Sequence, residues 1–511
     1  MTHAMLSALI RMAQGFAMAA PTLLVGLLIA GVFRFYMTPA QLRKLFGGET
    51  AASLPVSWLI GMLLPVCSIG VLPILREMHR ARVRPGAMTA FALSAPLFNP
   101  LSLLYGLTLS RPIVVIAFAL CSLAVVTILG SFWDRVASRK ASDEAEDAQD
   151  KSTRVIGTKR LLAMAVMTTR ESVGSLAVLV FIALLGLGVL GALLPYGAMQ
   201  SSFEMNDPVA PARMVFFAIP VYATPMIAMS QLGMMFQHSN SPGAALALLL
   251  LGTGVNLATI VMLARNHGTK ATLVWFTSLI VIVLGLSYAI DRPLILPGAE
   301  PAGHTHAFDG YATPLQAKSG FSWPMIYELI KKPLGIAEYA GVASLALLAI
   351  SGLLVRAIGW HEDQFKSEKP EDIASYDRIV PAPVLAVTIL IGLVVFSIVG
   401  CFAYYPHPDE TLKEIAAVRG EFYSAARSGN AEQALHWVDL WDDWGRRLEV
   451  ATFLRTGEVR PYQRMQGYIV RKKLELLEHE LEEPERDQKK INDMLTDLLE
   501  SDSRWRDAFR P

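Results

Sequence analysis

"LPVCSIGVLPILREMHRARVRPGAMTAFALSAPLFNPL", Leu64 to Leu101, decides how this chain folds. It is apolar enough for a bilayer, yet it carries Pro65, Pro73, Pro85, Pro96 and Pro100. It also places Arg76, Arg80, Arg82 and Arg84 in its middle and keeps Cys67, Ser68 and Asn99 among greasy neighbours. Proline removes a backbone donor and clashes with the preceding turn. In lipid, the carbonyls so freed must find partners inside the protein or in a water-filled cavity. The stretch predicts helices broken within the membrane rather than a simple anchor.

Working outward, the chain has 511 residues, 53% hydrophobic and 17% charged. A soluble globular chain carries about a quarter charged residues. The runs 12–33, 112–133 and 174–195 each exceed the roughly 18 apolar residues that read as a membrane-spanning helix. Further runs lie near 52–75, 86–108, 212–236, 243–264, 270–290, 337–357 and 381–404. The expected fold class is all-α: a multi-pass protein of the cell membrane with about ten spans, two repeated halves containing broken or re-entrant helices, and a C-terminal helical soluble domain. Its first segment reads as a retained span, because no small-residue cleavage site follows a short apolar core.

Composition shifts divide the chain into a first membrane repeat (1–134), a charged linker (135–170), a second repeat (171–291), a polar loop insertion (292–336), two additional spans (337–405) and the soluble domain (406–511). Lysine and arginine bias puts the Arg76–Arg84 turn and the linker in the cytoplasm. If every run crosses fully, the N-terminus is then inside as well. A net charge of +1 carries no nucleic-acid signal, and Cys67, Cys121 and Cys401 are too scattered for a disulfide framework or a paired-cysteine metal site.

The two halves align. "PGAMTAFALSAPLFN" (85–99) matches "PGAALALLLLGTGVN" (242–256) without a gap, pairing Pro85 with Pro242, Gly86 with Gly243 and Asn99 with Asn256. Upstream of each copy stands an interrupted segment, "LPVCSIGVLP" (64–73) and "IPVYATPM" (219–226). Paired broken helices in corresponding positions of two halves are a pointer to a transport site near the bilayer midplane. A single proline kink or intramembrane Asn is ordinarily structural; two of each at matching offsets favour a site.

These residues resemble the predicted-permease family that includes the organoarsenical efflux permeases. "PVCSIGVLP" followed by "GAMTAFALSAPLFNP" is similar to that family's first-half motif at Pro65, Cys67, Ser68, Gly70, Pro73, Pro96 and Asn99. The later copy is matched more loosely, through Pro220, Tyr222, Pro225 and Asn256. The resemblance implies a permease that exports small solutes or ions, and the paired broken segments fit a secondary transporter working by alternating access. Ile69 stands where the family has its second cysteine. Soft ions are best held by several sulfur ligands, so this departure weakens a thiophilic substrate.

Thr224 and Gln231 complete the expected substrate pathway. The loop 298–314 holds His304, His306 and Asp309, a candidate metal site with fewer ligands than a closed structural set. No other cofactor is expected. Trp437, Trp441 and Trp444 share one helix face and mark the packing stripe of the soluble domain, a candidate surface for a protein partner or a second copy. No phosphate-binding loop or hydrolase signature is present, so an enzyme is not expected. The alternative function is a membrane-anchored scaffold or sensor with a permease-like core that no longer transports. Substrate, coupling, oligomeric state, exact span count and the side occupied by 406–511 are not written in the residues.

Overall fold

The computed structural model describes residues 2–109, 112–141, 155, 159–295, 305–315, 322–331, 334–365, 382–483 and 485–510. It divides into two compact units, Met1–Ser102 with Ile113–Val394, and Leu103–Pro112 with Val395–Pro511. The described residues are helical, with one isolated bridge between Glu204 and Asn240 and no strand.

From the N-terminus, α1 (Thr2–Tyr36) is followed by α2 (Pro39–Leu45), α3 (Ser53–Leu63), α4 (Val71–Arg80), α5 (Pro85–Ser94), α6 (Pro100–Leu109), most of which belongs to the second unit, and α7 (Pro112–Ala141). Then come α8 (Lys159–Ser172), α9 (Ser175–Leu193), α10 (Ala210–Ala218), α11 (Pro225–Gln237) and α12 (Pro242–Ala247), which continues as a π-helical turn (Leu248–Thr253). The series ends with α13 (Leu257–His267), α14 (Thr269–Asp291), α15 (Trp323–Lys331), α16 (Ile336–Ile358) and α17 (Ala382–Tyr404).

Five described helices are long and apolar enough to cross a membrane: His3–Tyr36, Pro112–Ala137, Ser175–Leu193, Thr269–Asp291 and Ile336–Ile358. Pro242–Thr253 and Leu257–His267 together pass the same test but bend by 60° at their break. The expected runs 52–75, 86–108 and 212–236 are each divided, as α3/α4, α5/α6 and α10/α11. The division has a local cause. Pro85, Pro100, Pro225 and Pro242 each occupy the first position of a helix, where the missing N–H is not needed and φ is already helical. Pro73 lies in the first turn of α4 and interrupts nothing.

α1 and α9 pack antiparallel: Gly15 faces Leu187 and Leu184, while Gly191 faces Arg11. At the Arg11 end, Thr313 N–H donates to Leu194 O at 2.8 Å. At the opposite end of α1, Arg34 pairs with Glu362 at 2.8 Å and with the buried Glu77 at 3.7 Å, and Arg76 pairs with Glu171 at 3.4 Å.

The two interrupted segments turn back on themselves. Arg84, just past α4, donates to the carbonyls of Glu49 and Thr50, just before α3, at 3.1 and 2.9 Å. Ser241, just past α11, donates its N–H to Phe203 O at 2.9 Å, ahead of α10. Each hairpin is followed by a carboxylate clamp. Gly86 N–H donates to Asp134 at 2.7 Å, with Arg84 on the other oxygen at 2.6 Å. Gly243 N–H donates to Asp291 at 2.9 Å, joined there by the Ser241 hydroxyl at 2.5 Å.

The second unit holds α18 (Pro408–Arg427), α19 (Ala431–Thr456), α20 (Pro461–Glu482) and α21 (Gln488–Phe509). Its core gathers Ile415, Phe422, Trp441, Leu474, Leu495 and Trp505, so the tryptophan stripe does pack inward at Trp441. Asp502 is fully buried and accepts Arg419 at 2.6 Å and Arg506 at 3.0 Å.

Candidate functional site

The first break runs from Leu64 to Gly70. Leu64 N–H closes α3 on Gly61 O at 3.1 Å, and Cys67 O accepts Val71 N–H at 3.0 Å as α4 begins. α1 presses its backbone on this break. A Cβ on Gly70 would stand 2.5 Å from Thr22 O, and a Cβ on Gly26 would collide with Gly70 O, so both positions require glycine. That approach brings Thr22 to Cys67, its hydroxyl donating to Sγ at 2.8 Å. The same sulfur faces Gly70 N–H at 3.4 Å.

The second break, between α10 and α11, is pressed in the same manner by α9. A Cβ on Gly186 would collide with Pro220 O. Thr224 caps α11, accepting Ile227 N–H at 3.5 Å. One residue pair before that cap, the Tyr222 hydroxyl donates to Cys67 Sγ at 3.4 Å, joining the second break to the first.

The two asparagines sit at the breaks of the other pair of interrupted runs. Asn99 Oδ1 accepts Ser102 N–H at 2.7 Å and Asn256 Oδ1 accepts Thr259 N–H at 2.9 Å, so both are N-caps. Asn256 does more: its Nδ2 donates to Ser68 O at 2.7 Å, across the junction. Gly254 approaches Leu93 O and the Leu97 side chain, which sets the α12/α13 break against the α5/α6 break that contains Pro96. The Ser68 hydroxyl is buried with no hydrogen-bond partner.

Of the residues expected to form a pathway, the structure therefore joins Cys67, Ser68, Gly70, Tyr222 and Asn256 at one junction. Pro65, Pro96 and Pro220 lie within breaks, and Pro225 and Thr224 start α11. The side chains of Asn99 and Thr224 bond locally as caps. Gln231, 4% exposed, is engaged elsewhere: its Oε1 accepts the Tyr311 hydroxyl at 2.8 Å.

His304 lies outside the described residues. His306 Nδ1 lies 2.8 Å from Asp309 Oδ2, and Gln200 Nε2 is 3.1 Å from each of them. Among the described residues no three His, Cys, Asp or Glu side chains converge as a metal set.

Sequence reasoning missed Thr22, Arg11 and the two clamp aspartates. Thr22 gave no signal, being a single polar residue in a long apolar run, and Arg11 stands just before that run. The aspartates did: Asp134 and Asp291 each lie 48 residues beyond the matched glycine.

Several helices long and apolar enough to cross a membrane, with broken helices among them, define a polytopic helical membrane protein. The chain belongs to the predicted-permease family ArsP_1, whose profile matches residues 7–291. It is 28% identical over 85 residues to the UPF0718 protein YcgR of Bacillus subtilis (strain 168), covering 17% of this chain and 29% of that protein. It is 26% identical over 85 residues to the putative two-component membrane permease complex subunit of Streptococcus mutans serotype c (strain ATCC 700610 / UA159), covering 17% and 28%. The alignments thus span less than a third of either relative. No solved structure matches the chain significantly. The chain is accordingly a multi-pass membrane protein of a permease family, which points to a transporter rather than an enzyme.

Proposed function

We propose that the protein is a secondary permease that exports a small solute through the junction between Cys67–Gly70, Tyr222 and Asn256. The observation that carries the reading is the pair of cross-break bonds, Tyr222 to Cys67 at 3.4 Å and Asn256 to Ser68 at 2.7 Å. The unpartnered Ser68 hydroxyl supports it, because a buried polar group without a partner calls for a ligand or water. The outward direction rests on the family resemblance alone.

In this reading the halves are inverted repeats and the interrupted segments are re-entrant. The α3/α4 hairpin opens toward the Arg34–Glu77 end, which arginine bias assigns to the cytoplasm. The α10/α11 hairpin opens toward the Arg11 end, the outside. The N-terminus of α1 then lies outside, opposite to the side expected from full crossings, because a re-entrant hairpin returns the chain to the face it left. Two hairpins entering from opposite faces suit alternating access: rocking one half against the other exposes their shared tip to each side in turn.

Flux into proteoliposomes of the full chain tests this, using a panel of neutral solutes, oxyanions, organoarsenicals and metal ions. One member should be carried, and Asn256→Leu should abolish its flux while the helical signal persists. No flux for the whole panel would favour the scaffold alternative. The name of the Streptococcus mutans relative adds a second proposal, that the chain acts with a partner protein, for which 406–511 supplies a surface.

A further inference from the structure

The segment 305–315 lies beyond the family match, which ends at residue 291, yet it returns to the family core. Its anchors are numerous. Arg11 of α1 donates to Asp309 O and Ala312 O, each at 2.8 Å. Ser7 Oγ meets Thr313 Oγ1 at 2.9 Å, Thr305 N–H donates to Gln200 O at 2.7 Å, and Tyr311 reaches Gln231 at 2.8 Å. Phe308 packs between Phe203 and Phe217, with ring centroids 5.0 and 5.4 Å apart, and Tyr311 stands edge-on to Phe217 at 5.9 Å. Phe308 and Tyr311 are 1% and 3% exposed in a segment with no span of its own.

We infer that 305–315 is a built-in plug, which closes the Arg11 end of the transport path by occupying Gln231 with the Tyr311 hydroxyl. The inference rests on the permease reading for the meaning of that path, but not for the contact. Three features fit a device that opens rather than a permanent strut. Most of its anchors are hydrogen bonds to side chains that can rotate, beside two backbone pairs, Thr305 N–H to Gln200 O and Thr313 N–H to Leu194 O. Its large apolar groups are two rings, beside the smaller buried Ala307, Ala312 and Leu315. One of its contacts takes the buried amide of α11, the helix that begins at the second break. Burial raises the Tyr311 hydroxyl above its ordinary value, so it stays a donor at any working pH. While Tyr311 donates to Gln231 Oε1, a solute that needs that oxygen as its acceptor must wait for the plug to open.

The test needs no solute. In the full chain in liposomes, with Cys121→Ala and Cys401→Ala, Ala228→Cys reports one turn deeper on α11 than Gln231. It is labelled with a membrane-impermeant maleimide and located by peptide mass spectrometry. Tyr311→Phe should speed labelling about fivefold, the effect of one net hydrogen bond on the open fraction. Adding Ser7→Cys with Thr313→Cys gives a reversible lock at a pair now in contact. The oxidised form should label at least about tenfold more slowly than its own reduced form, if local opening governs access. Equal rates in oxidised and reduced chains overturn the plug, and this comparison holds even if Tyr311→Phe misfolds. That result would leave the flux assay untouched, and a silent flux assay would leave this one untouched.

Discussion

Asn256 performs two tasks with one side chain: Oδ1 caps α13 and Nδ2 satisfies Ser68 O across the junction. Among the described residues, Asn99 Oδ1 performs the first, capping α6. Loss of a cap costs about 1 kcal/mol, and a buried carbonyl stripped of its donor costs about 1–3 kcal/mol more. Asn256→Leu should therefore lower unfolding stability in detergent by about 2–4 kcal/mol, and Asn99→Leu by about 1 kcal/mol. Equal losses, measured by chemical denaturation, would deny Asn256 its second role. Both asparagines were legible in the sequence, since an amide at the end of an apolar run is costly without a task. What the sequence did not give was the partner. Nothing local to Asn256 points to Ser68, 188 residues away.

At the scale of elements, the breaks were legible, and so was the choice between a broken crossing and a re-entrant segment, but not which applies to each run. Prolines at helix starts fix where a run is cut, but hydropathy has no direction, so it does not tell whether 52–75 and 212–236, each divided into two helices, cross or fold back. Pro73 misled in the opposite sense, because proline in a first turn is harmless. In the second unit, the tryptophan stripe correctly announced a packed bundle, while the buried carboxylate beneath it was invisible. Asp502 on α21 ties α18 through Arg419 and its own helix through Arg506. Asp502→Ala leaves two guanidinium groups without that partner. Both still reach solvent in part, at 25% and 21% exposure, so the expected loss is about 2–3 kcal/mol, less than for a fully buried pair. Thermal unfolding of the isolated 406–511 fragment, whose core is drawn from its own helices, would read it. An unchanged melting point would make the triad ornamental.

For the whole molecule, the central claim is that halves far apart in sequence bring their interruptions to one place, with α1 and α9 as the backs against which the two breaks are pressed. Gly26, Gly70 and Gly186 make that possible, because each removes a Cβ from a backbone-to-backbone approach. Nothing in the sequence near Cys67 or Tyr222, 155 residues apart, announces their contact. The most direct measurement replaces Ser68 and Asn256 by cysteine in the full chain, with Cys67→Ser, Cys121→Ala and Cys401→Ala, and treats native membranes with a short bifunctional thiol reagent. The account predicts an intrachain 68–256 link found by mass spectrometry in most molecules. Single labelling at both positions with no link between them would contradict it.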